Sequence, residues 1–343
     1  MTNEQWQRLL ALLDGETFDP MPAAFIIDSP WLPNWAGVTI LDYFASETTW
    51  LEANLRAEET FPDVWFLPGF WSEYGMCTEP SAFGAKCIWY DDEFPFAETI
   101  SDNIERLAML APPNPARDGL APFMLARLRL MEPAIIEAGH AIRFAVARGP
   151  LNIAAFLMGN MEFLVAMRME PEKTHALLSV ITRFLVSWLQ LQAKTFPSID
   201  GVLLLDDVVG FIGGDDFTSF AKPFLKDAFE AVDASVRFFH NDANGMICGP
   251  HLAEIGVNLF NFSHEHHIND MRRAVGDSVT LLGNIPPRDV LAQGTPEEVH
   301  HAVTQLRREM DDPRRVVLSC GGGMPPGVTT ENIRAFLAGV APM

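Results

Sequence analysis

The chain has 343 residues, 48% of them hydrophobic with 25 Phe and 8 Trp, enough apolar mass for one large domain or two ordinary ones. Forty-five acidic against 24 basic residues give a formal charge of −21, a field that repels nucleic-acid phosphates and anionic lipid surfaces and argues against both as partners. Cys77, Cys87, Cys248 and Cys320 are too few and scattered for a disulfide scaffold, no signal-peptide pattern opens the chain and no 18-residue apolar run stands out, so a reduced, cytoplasmic protein is expected.

In chain order, MTNEQWQRLLALLDGE sets Trp6, Leu9, Leu10 and Leu13 at helical spacing and ends near Gly15. PMPAAFIIDSP then predicts a first strand, Ala23 to Ile27, closing at Asp28, and DVWFL (Asp63 to Leu67) a second. Residues 68–100 form an irregular aromatic stretch with the length of an active-site loop, carrying Trp71, Glu73, Tyr74 and Glu79 as candidate substrate contacts. Residues 102–147 read as mainly helical with Pro breaks. RGPLNIAAFLMGNMEFL reads as a short strand or turn leading into a helix, and Pro171 opens a long apolar-striped helix.

The C-terminal half repeats one pattern. GVLLLDD, VRFFHND, VNLFNFSH, VTLLGN and RVVLSCGGG are short apolar runs that stop at polar residues, separated by segments of helical periodicity such as TPEEVHHAVTQLRREM with its capping-box spacing. The pattern predicts an α/β fold, a single (β/α)8 TIM-type barrel over residues 1–343, with residues 1–20 as an N-terminal helical extension and lead-in. In such a barrel the polar strand ends converge on one mouth.

His240 and Asp242 are two apart on an extended chain and so share a side, offering an imidazole and a carboxylate for a metal or for acid/base work. Asp206 and Asp207 point to opposite sides, so one faces the mouth as a catalytic acid or base and the other serves a turn or cap. SHEHH offers His264, VTLLGN ends at Asn284, and Cys320 ends its strand before three glycines. A buried inert thiol and a solvated histidine loop are the plainer alternatives there.

Together these blocks resemble the uroporphyrinogen decarboxylase superfamily, which includes the decarboxylase itself and methyltransferases that exchange methyl groups with corrinoid proteins. The likeness runs from RLLALLDGETFDPMP through GPLNIAAFLMGNMEFL and LLLDDVVGFIGGDDFTSFAKPF to FHNDANG, LLGNIPPRDVLAQGTPEEV and LSCGGGMPPGVTTENI. It implies a β/α barrel with its site at the strand C-termini. The decarboxylase's N-terminal arginine segment, which grips substrate carboxylates, has no counterpart, since no arginine lies between Arg56 and Arg106.

The thiol-activating methyltransferases of the superfamily carry a His-x-Cys zinc motif and a second cysteine in a C-terminal glycine turn. His240 matches the histidine, Asp242 stands at the first cysteine, and Gly322 at the second, with Cys320 two residues earlier. The resemblance therefore implies a zinc set of His240, Asp242 and Cys320, a small methylated or carboxylated substrate, and a separate corrinoid protein as partner, because the chain lacks the D-x-H-x-x-G cobalamin signature. Aromatic residues of the loop suit an aryl ether or a quaternary amine. A metal-free decarboxylase using Asp206 or Asp207 with His240, and a ligand-binding barrel without catalysis, remain as alternatives.

Overall fold

A computed structural model describes residues 1–27 and 30–341. Its strands in chain order are β1 (Ala23–Ile26), β2 (Val64–Leu67), β3 (Cys87–Ile88), β4 (Phe96–Ala97), β5 (Phe144–Arg148), β6 (Gly201–Leu205), β7 (Val236–Asn241), β8 (Leu259–Phe262), β9 (Thr280–Ile285) and β10 (Val316–Cys320). β3 and β4 form an antiparallel hairpin inside the aromatic loop. The other eight make one parallel sheet, ordered β2-β1-β10-β9-β8-β7-β6-β5. Every residue of β1, β2, β5, β6, β8, β9 and β10 is buried, as continuous apolar runs covered on both faces require. The first strand stops one residue short of the expected Ile27, and Asp28 lies outside the described residues. β5 begins at Phe144, inside the stretch read as helical; FAVAR is too short for periodicity to separate strand from helix.

The expected closed barrel is instead a curled eight-stranded sheet: among the described residues no ladder joins β2 to β5. Side chains seal the seam. The amide of Gln192, on the helix Pro171–Thr195, donates to Val146 O and accepts from Val146 N, both at 3.0 Å. Glu79 Oε1 accepts from Arg148 N at 3.1 Å. At the opposite end of the strands the helix Asn3–Leu13 spans both edges, with Gln5 Nε2 3.4 Å from Val64 O and the Trp6 ring edge-on to Phe144 at 5.4 Å. The unpaired edge of β5 thus meets its hydrogen-bonding needs without a neighbouring strand.

Among the described residues one helix, Pro171–Thr195, is long and apolar enough to cross a membrane, and Leu177, Ile181, Phe184 and Trp188 on it are buried within the fold. The expected capping box stands at Thr295 with Glu298, and the structure adds a second at Thr2 with Gln5.

Candidate metal centre at the strand C-termini

The C-terminal ends of the strands open on a cavity of about 700 Å³. Trp71, Met76, Phe94, Phe156, Phe211 and Met324 make much of its wall, and Arg148, Asn152, Asn160, Asp207, His240 and Asp242 supply polar groups. Asp207 opens the 3-10 turn that follows β6, His240 is the last residue but one of β7, and Asp242 directly follows the strand. One donor atom from each of these three lies within 4.8 Å of the others. His240 Nε2 is 3.6 Å from Asp207 Oδ1, which also accepts from Asp242 N at 3.1 Å. Asp242 is open to solvent on one side; partial burial raises its pKa, the Asp207 charge adds to this, and His240 opposes it.

The supports of this trio come from three other strands and a helix. His240 pairs with Asn261 across the β7–β8 ladder, so both side chains project on the same face. Asn261 Nδ2 donates to Leu282 O at 2.9 Å and to Cys320 O at 3.1 Å, which leaves Oδ1 to receive the proton of His240 Nδ1 at 2.8 Å. The imidazole therefore turns Nε2 toward the two aspartates. Asn152 holds Asp207, with Nδ2 3.5 Å from Oδ2 and Oδ1 accepting from Val208 N at 3.0 Å.

Alternation splits the two adjacent aspartates. Asp207 faces the cavity; Asp206 is fully buried and accepts from Leu151 N and Asn152 N, each at 2.9 Å, at the start of the helix Pro150–Met158. Burial drives the Asp206 pKa well above the usual carboxylate range, with Asp207 adding to the shift and the two amides opposing it. Gly149 is required here, because an added Cβ would lie 2.3 Å from Asp206 Oδ2.

Cys320 is not brought to the pair that the sequence suggested. The ladder His240–Asn261–Leu282–Val317 puts Val317 and Ser319 on the histidine's face of the sheet and Cys320 on the other. Its Sγ lies 3.2 Å from Gly322 O, and Asp207 takes the third place in the cluster. Position 322, matched by the resemblance to a cysteine, does border the site: a Cβ there would lie 3.2 Å from Asp242 Oδ2.

Of the expected substrate contacts, Trp71 lines the cavity. Glu73 and Glu79 stand behind it and hold Arg148: Arg148 Nη2 is 2.9 Å from Glu73 Oε2, and its guanidinium lies 5.4 Å from the Trp71 ring. Burial raises the Glu79 pKa against the pull of Arg148. Tyr74 is off the wall, under the buried Arg127 guanidinium at 4.6 Å. His264 is exposed outside the cavity, its backbone packed against Gly321. Asn284 is tied to Ser263 O at 3.2 Å and His266 O at 2.6 Å, fixing the loop after β8 rather than facing a ligand. Sequence reading passed over Asn261, Asn152 and Arg148. The signal for Asn261 was a lone amide inside the apolar run VNLFNF, where a buried polar group needs partners.

The profile of the family described as Uroporphyrinogen decarboxylase (URO-D) matches residues 5–341. The chain belongs to the uroporphyrinogen decarboxylase family. Curated relatives include uroporphyrinogen decarboxylases of Chloroherpeton thalassium, 27% identical over 49% of this chain and 48% of the relative, and of Chlorobium luteolum, 26% identical over 63% of each. The human enzyme is 28% identical over 50% of this chain and 47% of its own length. The chain thus spans about half to two thirds of the length of these relatives. In fold it is similar to a methyltransferase from Methanosarcina mazei, with a TM-score of 0.80, 18% identity and 97% of both chains covered. It is also similar to a B12-independent methionine synthase from Shewanella sp. W3-18-1, with a TM-score of 0.57, 14% identity and coverage of 93% and 96%. The uroporphyrinogen decarboxylase family accordingly has structural neighbours among methyltransferases, and its members named here are enzymes.

Proposed function

We propose that this chain is a methyltransferase-like enzyme that moves a methyl group between a small O- or N-methylated compound and a separate corrinoid protein in the cytoplasm. A divalent cation, zinc by the family resemblance, would be held by Asp207, His240 and Asp242. The observation that carries the reading is the convergence of these three donors within 4.8 Å at one wall of a largely aromatic and thioether cavity. One nitrogen and two carboxylates fit zinc with a position left open for substrate. When bound, the ion supplies Lewis-acid polarisation of the heteroatom that carries the methyl group. Its oxygen-rich ligand set favours an oxygen or nitrogen donor over a thiol.

The chain's own groups do the rest. Asn261 keeps the Nδ1 proton on its own side and so presents the Nε2 lone pair to the cavity. Asn152 orients Asp207. Trp71, Phe94, Phe156 and Phe211 exclude water and receive the apolar body of the substrate, or a quaternary ammonium through their ring faces. Arg148 is the only arginine or lysine on the described cavity wall, and Glu73 meets its charge. That arrangement is poorly matched to a polycarboxylate and weighs against the decarboxylase reading.

The test is to incubate zinc-reconstituted protein with methoxylated aromatics and quaternary amines, with and without reduced cobalamin, and measure the demethylated product. The reading expects product that depends on both cobalamin and His240. Product formed equally by His240→Ala, or none from any donor, would contradict it.

A further inference from the structure

The aromatic loop folds over the cavity as two strands of chain drawn together. Met76 N donates to Pro95 O at 3.1 Å, and Gly75, at φ +56°, has Pro95 O only 2.9 Å from where a Cβ would stand. The β3–β4 ladder sets Cys87 opposite Ala97. The segment around residue 76 and the start of β3 therefore both pack on residues 95–97. Cys77, two residues before Glu79, and Cys87 meet there: the Cys77 thiol contacts the Cys87 thiol and the backbone N–H of Ile88. Cys77 is fully buried and Cys87 is partly exposed. Met76 and Phe94, beside this junction in sequence, line the cavity.

We infer that Cys77 and Cys87 form an oxidisable dithiol in the roof of the cavity, a modification site at which hydrogen peroxide converts two thiols into a disulfide. The roles follow from exposure. Contact with the Cys87 thiol and burial raise the pKa of Cys77, and the same contact lowers that of Cys87. Cys87, accessible and the better thiolate, attacks the peroxide; the O–O bond breaks, and a sulfenic acid and one water form. The Cys77 sulfur then attacks the Cys87 sulfur, the S–S bond replaces the S–O bond, and a second water leaves. The thiols give up two electrons and two protons, and the peroxide is reduced to water. A small dithiol reverses the change. The bond ties the segment bearing Met76 to the hairpin bearing Phe94. Cys248 and Cys320 are fully buried on other elements and should stay reduced.

The full-length protein, freshly reduced, is treated with hydrogen peroxide, alkylated and digested without reductant. A cross-linked Cys77–Cys87 peptide that disappears after dithiothreitol is expected. Cys77→Ser should leave Cys87 as a sulfenic acid captured by dimedone, and Cys87→Ser should leave Cys77 unoxidised. Wild-type protein alone decides the matter if either variant misfolds. Alkylation of both thiols after peroxide, or over-oxidation of Cys87 with Cys77 still free, would overturn the proposal.

Discussion

Asn261 Oδ1 lies 2.8 Å from His240 Nδ1, and because both amide protons of Asn261 go to the carbonyls of Leu282 and Cys320, the shared proton belongs to the histidine. One amide from β8 thus ties the imidazole to β9 and β10 and fixes its tautomer. Outer partners of this kind are worth about 10–100-fold in metal affinity. Asn261→Ala should therefore weaken zinc binding by roughly that factor in a calorimetric titration, while Cys87→Ala, in the roof, changes nothing. Unchanged affinity in Asn261→Ala would show that the imidazole is oriented by other means.

The seam between β2 and β5 depends on Gln192. Replacing it with Leu keeps the volume but leaves the N–H and C=O of Val146 unpaired in a buried setting. Each such loss costs about 1–3 kcal/mol, so urea denaturation should register on the order of 2–6 kcal/mol. An effect below about 1 kcal/mol would mean that water or β2 reaches the edge.

Glu58 gives a pH dependence with a defined sign. Burial lifts its pKa from 4.5 to about 7, and the neighbouring His140, 3.8 Å away, is held near 4 by its own burial. An unfolded Glu58 loses its proton from about pH 4.5 upward while the folded one keeps it to about 7, so this group takes stability away as pH rises through that window. Glu58→Gln should raise thermal stability more at pH 8 than at pH 5, by on the order of 2 kcal/mol. A difference between variant and wild type that stays flat across this range would refute the assignment.

No turnover of uroporphyrinogen is expected. Its eight carboxylates would enter a cavity bearing Asp207 and Asp242, with Arg148 already paired to Glu73. Appearance of stepwise decarboxylated porphyrins after incubation with purified protein would overturn this.

Much of the fold was legible because doubly buried parallel strands leave continuous apolar runs, and two of them end at the residues that form the candidate centre. His240 and Asp242 were legible for the same reason: two-residue spacing on a strand is a statement about direction. Cys320 misled because it entered through the resemblance, as the cysteine two residues before the matched position 322, while the face it occupies is set by register across β8, β9 and β10. The choice between Asp206 and Asp207 needed the helix Pro150–Met158, whose free amides claim Asp206. The open seam was illegible because Gln192 and Glu79, distant in sequence from β5, replace a ladder that apolar patterning alone would predict.

The central claim is that Asp207, His240 and Asp242, without Cys320, hold a divalent cation. The direct measurement is zinc content and affinity of the reconstituted wild type, Asp207→Asn, His240→Ala, Asp242→Asn and Cys320→Ser. The account expects one zinc per chain in wild type and in Cys320→Ser, and affinity lowered at least about tenfold in each of the other three. Wild type that holds far less than one zinc per chain, or a site lost in Cys320→Ser but kept in Asp207→Asn, would contradict it.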